Sequence, residues 1–225
     1  MAKLKPDITP EEERKQNLEQ LANYRPLDDD FMRELFRNDL DLAQFVLRII
    51  IDKPDLTLIK EESQYDLQHL FGEPSICLDV FGVDSEGQQY DFEVQRQDKG
   101  ATPKRARYYS SAMDVDNLKE KQKFDALPNT YVIFITENDV LGGGLPIYHV
   151  NRTIEEMNHK SFGDRGHIIY VNGADQNAST ELGKLMHDFF CTKADDMNYN
   201  VLAEKVRYFK ENEEGVKHMS KSLRI

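Results

Sequence analysis

Ile76-Cys77-Leu78-Asp79-Val80-Phe81-Gly82-Val83-Asp84-Ser85-Glu86-Gly87-Gln88-Gln89-Tyr90-Asp91-Phe92-Glu93-Val94-Gln95 is the stretch that decides the fold. Strand signals run from Ser75 to Val83 and from Gln88 to Gln95, with the turn-forming Asp84-Ser85-Glu86-Gly87 between them. A three-residue turn, Ser85-Glu86-Gly87, needs a left-handed residue at its end, and Gly87 supplies it. That turn pairs Asp84 with Gln88, Asp79 with Glu93 and Cys77 with Gln95. Directly opposite residues share a face, with Cβ atoms about 4.5–5.5 Å apart. Asp79, Asp91, Glu93 and Gln95 then project together. Ile76, Leu78 and Val80 meet Tyr90, Phe92 and Val94 on the other, apolar face. A two- or four-residue turn would move Asp79 to the opposite face, so the inference depends on Gly87.

Two facing carboxylates repel unless something offsets their charge. A divalent cation does so, because a hard ion such as Mg²⁺ binds one or two carboxylates and keeps waters for a phosphate ligand. Such a metal also activates water and stabilises charge developing on phosphorus. The pattern fits equally a solvent-facing strand surface that carries no chemistry.

Helices flank the hairpin. Thr9-Pro10-Glu11-Glu12 carries an N-cap, a proline at the first helical position and a capping-box glutamate, predicting a helix to about Ala22. Asp28-Asp29-Asp30 opens a second helix with Met32, Leu35 and Phe36 on one side. Leu40 to Ile51 forms a third, after Asn38-Asp39 and before Lys53-Pro54. Leu56 to Glu61 is a short candidate strand. Thr102-Pro103 starts a helix running to about Glu120. Thr130 to Thr136 is a continuous apolar run, as expected of a central strand buried on both faces. Gly142-Gly143-Gly144 reads as a flexible loop that lacks the Lys-Ser/Thr of a phosphate-binding loop. Ile147 to Asn151 and His167 to Val171 are short strands, and Ser179 to Phe190 and Tyr199 to Asn212 are closing helices. The charged run from Glu204 to Lys221 reads as a solvated helix. The order predicts an α/β protein: a mixed sheet with helical covers and extra helices at both ends. Its parts are an N-terminal helical segment (1–27), a central domain (28–195) and a C-terminal helical segment (196–225).

The 225 residues carry 29 Lys and Arg against 41 Asp and Glu, a net charge of −12. This excess excludes a simple basic coat for nucleic acid, though not an enzyme that holds metal with carboxylates. No apolar run approaches the roughly 20 residues of a membrane span. The charged stretch Met1 to Arg14 is unlike a signal peptide, and two distant cysteines exclude a disulfide framework and a Cys-rich zinc site. A cytoplasmic location is the expectation. The six histidines form no HxxxH or HExxH pair, and Cys77 reads as a small buried hydrophobe. Lys104, Arg105 and Arg107 lie in the first turns of a helix, where the dipole disfavours cations, which suggests an anionic partner. Arg105 and Tyr109 are one turn apart on one side of that helix. A solvated helix start with Tyr108 or Tyr109 packed inward accounts for the same residues.

Asp79, then Glu93-Val94-Gln95 on the next strand, then Arg105 and Tyr109 on the following helix resemble the PD-(D/E)XK nuclease superfamily. The closest resemblance is to its branch of nuclease family transposases, also described as recombination-promoting nucleases. Asp29-Asp30-Phe31-Met32-Arg33-Glu34-Leu35-Phe36 is similar to that branch's opening Asp-x-x-Phe-Lys-x-x-Phe segment, with Met32 and Arg33 where Phe and Lys are usual. The resemblance covers roughly residues 28 to 175. It implies a restriction-endonuclease-like fold and a phosphodiesterase site acting on DNA with Mg²⁺ or Mn²⁺, and it is compatible with a homodimer. Carried over, Asp79 and Glu93 are the metal ligands, Gln95 takes the place of the superfamily's lysine, and Asp29 is a further acidic residue. Arg105, Tyr109, Lys104 and Arg107 lie toward the substrate phosphate. Gln95 neither titrates nor carries charge, so it orients a water or ligates through its carbonyl. Two other readings stand beside the endonuclease. One is a degenerate module that binds DNA or protein without cleavage, supported by Gln95 and the acidic surface and favoured if Asp79 and Glu93 turn apart or are neutralised by an internal Arg or Lys salt bridge. The other is an α/β protein with no nucleic-acid role.

Overall fold

The structure, a computed structural model, describes residues 9–67, 76–118 and 120–223. Ser75 and His69 lie outside them, and so do the first eight residues of the charged N-terminus. Helices α1 (Pro10–Ala22), α2 (Asp29–Phe36) and α3 (Leu40–Ile51) precede strands β1 (Leu58–Leu67), β2 (Ile76–Asp84) and β3 (Gln89–Gln95). Helix α4 (Pro103–Asn117) leads to β4 (Thr130–Thr136), β5 (Ile147–Val150), the two-residue strands β6 (Thr153–Ile154) and β7 (Lys160–Ser161), and β8 (Gly166–Asn172). Helices α5 (Glu181–Phe190), α6 (Asn200–Glu211) and α7 (Glu213–Leu223) follow. The main sheet has six strands in the order β1-β2-β3-β4-β8-β5. Strands β3, β4 and β8 run parallel and the outer pairings are antiparallel. This is the predicted mixed sheet flanked by helices.

The capping box of α1 forms as the sequence requires, with Thr9 accepting from the Glu12 backbone and Glu12 accepting from Thr9. The hairpin register is the predicted one: Val80 faces Phe92, Gly82 faces Tyr90, and the Asp84 N–H donates to the Gln88 carbonyl. Gly87 has φ +80°, the left-handed conformation on which that register depends. The Asp84 carboxylate braces the turn by accepting from the backbone N–H groups of Glu86 and Gln88 and from the buried Tyr90 hydroxyl.

Central strand β4 alternates between two cores. Ile133 and Ile135 join Val80, Tyr90, Phe92 and Val94 in the larger one, against α2, α3, α5, α6 and α7. Val132 and Phe134 join Phe81, Ala106, Tyr109 and Met113 in the smaller one, beneath α4. A run apolar at every position is therefore what this strand needs.

Four expectations are corrected. Leu78 does not share Val80's core but packs in the smaller one with Tyr65 and Phe81. Gln64 has φ +58° and lies between Ser63, which pairs with Val80, and Tyr65, which pairs with Leu78. The register of β1 against β2 is the same on either side of Gln64, so the change of face falls at Asp79 without an inserted residue. β1 also runs to Leu67, well past the expected Glu61. The loop Gly142–Gly144 is braced rather than free, with Gly142 and Gly144 N–H groups on Asp139 and Gly143 N–H on the Tyr148 hydroxyl. The charged run 204–221 is two helices, because Asn212 ends α6 and its side chain accepts from the Glu214 and Gly215 N–H groups at the start of α7. Val206, Phe209, Val216 and Met219 bury one side of the pair. The side chain of Cys77 lies outside the described residues.

The terminal helices hold the core from outside. Lys210 Nζ, largely buried, donates to the carbonyls of Tyr24 and Thr192, each at 2.5 Å, and of Ala22 at 3.3 Å. Buried Glu34 on α2 accepts from Ser222 and Arg37 and pairs with His218 Nε2 at 2.8 Å. Lys210→Met leaves the Tyr24 and Thr192 carbonyls without their donor. It is expected to lower unfolding free energy by about 1–3 kcal/mol, measured by urea denaturation at pH 7, where a midpoint equal to the parent's would show the clasp to be idle.

Candidate active site

A cleft of about 700 Å³ opens where β3 and β4 end. Crevices outside the carboxyl ends of parallel strands are the habitual ligand sites of α/β sheets. Its lining includes Asp28, Asp29 and Asp30 at the start of α2, Gln95 and Arg96 at the end of β3, Arg105 of α4, and Glu137 after β4.

Asp79 and Glu93 meet beside this lining, and Arg105, which is part of it, contacts Glu93. The regular β2–β3 ladder stops at Val80–Phe92. Beyond it the Asp79 N–H donates to Glu93 Oε1 at 2.9 Å, tying the two strands through a side chain. Both carboxylates are buried, and each has an arginine. Arg33 of α2 sets Nε and Nη2 on Asp79 Oδ1, both at 3.1 Å. Arg105 Nη2 lies 3.4 Å from Glu93 Oε2 and 2.6 Å from the Tyr109 hydroxyl. The same guanidinium reaches the Gly100 carbonyl at 3.1 Å and Gln95 Oε1 at 3.4 Å through Nη1. Arg105 thus gathers Glu93, Gln95 and Tyr109. The i, i+4 spacing of Arg105 and Tyr109 makes this geometry available on one helix.

Asp91 is completely buried, and its carboxylate oxygens find no N–H or hydroxyl donor; the group within hydrogen-bond reach is the neighbouring Glu93 carboxyl. Burial, then the neighbouring Glu93 and Asp79 charges, push its carboxyl well above the usual carboxylate range. Burial and the Asp79 charge push Glu93 up to about 8. Burial also raises Asp79, against the opposing pull of Arg33. Tyr109 rises to about 12 for the same first reason, burial, with Glu93 next. Three buried carboxyl groups thus face two guanidinium groups. The donors are oxygens, and one pair lacks an N–H or hydroxyl partner, so the set fits a hard divalent cation.

The structure brings together Asp79, Glu93, Gln95, Arg105 and Tyr109, with Asp29 on the cleft rim. Lys104 and Arg107 are exposed and do not line the cleft. Steps of 100° per residue turn them away from the side that Arg105 and Tyr109 share. Sequence reasoning missed the pairing of Arg33 with Asp79, although Arg33 sits one turn after Asp29 and Asp30. It also missed the rim network in which Arg25 and Arg96 both bridge Asp28 and Glu137, with contacts of 3.0–3.5 Å. The adjacent Arg96, one residue past Gln95, was its only local signal.

A family model described as PD-(D/E)XK nuclease family transposase matches residues 38–214 of this chain. No curated protein and no solved structure matches it. Among the described residues no helix is long and apolar enough to cross a membrane.

The raised Glu93 carboxyl has a thermodynamic consequence. Its folded pKa of about 8 lies above the ordinary value near 4.3 in the unfolded chain. Between those values the folded state holds more protons than the unfolded one, so stability falls as pH rises. Metal-free protein in EDTA is expected to lose stability from about pH 5 to pH 8, and Glu93→Gln to flatten that slope; parallel pH curves for the two in thermal melts would contradict this origin.

Proposed function

We propose that this chain, which belongs to the PD-(D/E)XK nuclease family transposases, is a metal-dependent DNA endonuclease acting at the cleft between α2 and α4. The observation that carries the reading is the excess of buried carboxyl groups over arginines, with Asp91 lacking an N–H or hydroxyl donor and Glu93 pushed up to about 8. Asp79 and Glu93 would hold Mg²⁺ or Mn²⁺. At such a site a bound divalent ion activates water and stabilises charge developing on phosphorus.

The chain's own residues supply the rest. The Arg105 fork matches a phosphate oxygen pair, and Tyr109 fixes its orientation through a 2.6 Å bond. Arg33, now shared between Asp79 and Asp30, is partly exposed and would exchange a carboxylate for a phosphate when a cation joins Asp79. Gln95 turns its carbonyl oxygen toward Arg105, which leaves its amide N–H groups to orient a water or a phosphate oxygen. Asp29 on the rim adds acidic charge. Lys104 and Arg107, on the outward side of α4, would meet the backbone of a long duplex outside the cleft.

The second reading, a binding module without cleavage, is favoured by the arginine partner that each of Asp79 and Glu93 has in the protein alone. Plasmid assays separate the two. Nicking or cleavage is expected with Mg²⁺ or Mn²⁺ and not with EDTA. Glu93→Gln should lower it by at least about 100-fold while circular dichroism stays unchanged; cleavage equal to the parent's would remove the endonuclease reading. Gly100→Ala tests Gln95, because a Cβ there would lie 1.8 Å from Gln95 Oε1 and displace that flexible side chain. Cleavage is expected to fall about tenfold, equivalent to ~1.4 kcal/mol, with little change in melting temperature. Full activity in Gly100→Ala would show that Gln95 has no part in the reaction.

A further inference from the structure

Outside the cleft, the end of α5 gathers three side chains of a different character. His187, Asp188 and Cys191 each offer one ligand atom, and these atoms lie within 4.8 Å of one another. His187 and Cys191 are four residues apart and so share a helix face. Nδ1 of His187 is 3.2 Å from Asp188 Oδ1 and 3.6 Å from Cys191 Sγ. Zinc bonds of about 2.1 Å to N and O and about 2.3 Å to S, at tetrahedral angles, place N and O about 3.4 Å apart and N and S about 3.6 Å apart. Both distances lie close to those edges, and the third, between Asp188 and Cys191, is within 4.8 Å, so the two would close on the ion by up to about 1 Å.

Asp188 is fully buried, with the adjacent His187 ring beside its Oδ1. Its carboxylate is oriented from behind by backbone groups, with Asn198 N–H on Oδ1 and Tyr199 N–H on Oδ2, each at 2.8 Å. Such bonds hold a ligand's orientation without occupying the side that faces the metal. Asn198 Nδ2 lies 2.8 Å from Asp188 Oδ1 and 3.1 Å from His187 Nδ1. The same Nδ2 lies 3.4 Å from the Lys184 carbonyl and Cys191 Sγ lies 3.7 Å from the Asp196 carbonyl, so zinc would displace the Asn198 amide and the thiol's contact. The His187 side chain is 43% exposed, which gives an ion access.

We propose that His187, Asp188 and Cys191 form a zinc site, with Nδ1, a carboxylate oxygen and Sγ as protein ligands and a water in the fourth position. The thiol gives its proton to solvent as the Zn–S bond forms, and the imidazole binds through the Nδ1 lone pair. Imidazole and thiolate select zinc over magnesium, so this site and the oxygen-only cleft take different ions. Bound zinc would tie the end of α5 to the start of α6, both already joined through Asp188. The spacing His-Asp-x-x-Cys is not among the common zinc patterns, which is why no motif announces it.

Co²⁺ titration of the full chain tests the site, because a thiolate on Co²⁺ gives near-ultraviolet charge-transfer absorption that oxygen ligands do not. In an Asp79→Asn, Glu93→Gln background, which removes the cleft carboxylates, one equivalent of Co²⁺ is expected to produce the band and Zn²⁺ to abolish it. Cys191→Ser should lose the band, Cys77→Ser should keep it, and His187→Ala should weaken Zn²⁺ binding by about tenfold or more. No band in the folded protein, a band that survives Cys191→Ser, or equal Zn²⁺ affinity in His187→Ala would each overturn the proposal. The cluster would then be a hydrogen-bonded clasp only.

Discussion

The register of one hairpin governs the cleft. A three-residue turn closed by the left-handed Gly87 sets Val80 against Phe92, and this places Asp79 beside Glu93 on the side covered by α4. A slip of one residue would send both carboxylates into the larger apolar core and turn Val80 and Phe92 outward. The turn is accordingly over-determined, with three bonds to the Asp84 carboxylate besides the glycine. The sheet then extends this geometry through β4 and β8, so that the open end of β3 falls in a crevice that α2 and α4 wall from the two faces.

Burial gives the site its chemistry and its cost. Carboxylates out of water attract cations strongly, but the metal-free protein must hold them protonated or paired with arginine. Asp91, with no donor, is the extreme case. A group of this kind opposes folding and survives because the rest of the core is apolar and closely packed, as at other sites where local rules give way to function. Arg33 and Arg105 answer part of the charge, and they are also the forked cations suited to phosphate.

Local features were legible in the sequence. The capping box at Thr9, the left-handed Gly87, the two-sided β4 run and the Arg105–Tyr109 spacing all follow from residues within one turn or one strand of each other. The pairing of Asp79 with Glu93 was legible too, because a tight turn converts sequence distance into spatial distance. What could not be read depends on contacts between remote segments. Arg33 reaches Asp79 across 46 residues, and Asp91 lacks a donor only because α4 closes over it. The break at Asn212 was hidden by charge, since Lys205, Lys210 and Lys217 alternate with Val206, Phe209 and Val216 at a spacing that reads as polar until the buried side is known. The outward course of Lys104 and Arg107 was available from helical geometry but is invisible to a count of nearby basic residues.

Glu34 ties α2 to α7 through Ser222 and His218, more than 180 residues downstream. The helix that presents Asp29 and Arg33 to the cleft therefore lacks its outer support until α7 has left the ribosome. During synthesis the hairpin and α4 can form early, with their acidic cluster in place, while one wall of the cleft remains unbraced. Assembly of the site is in this way tied to the emergence of α7, and a chain lacking that helix would carry the acidic cluster without a secured wall.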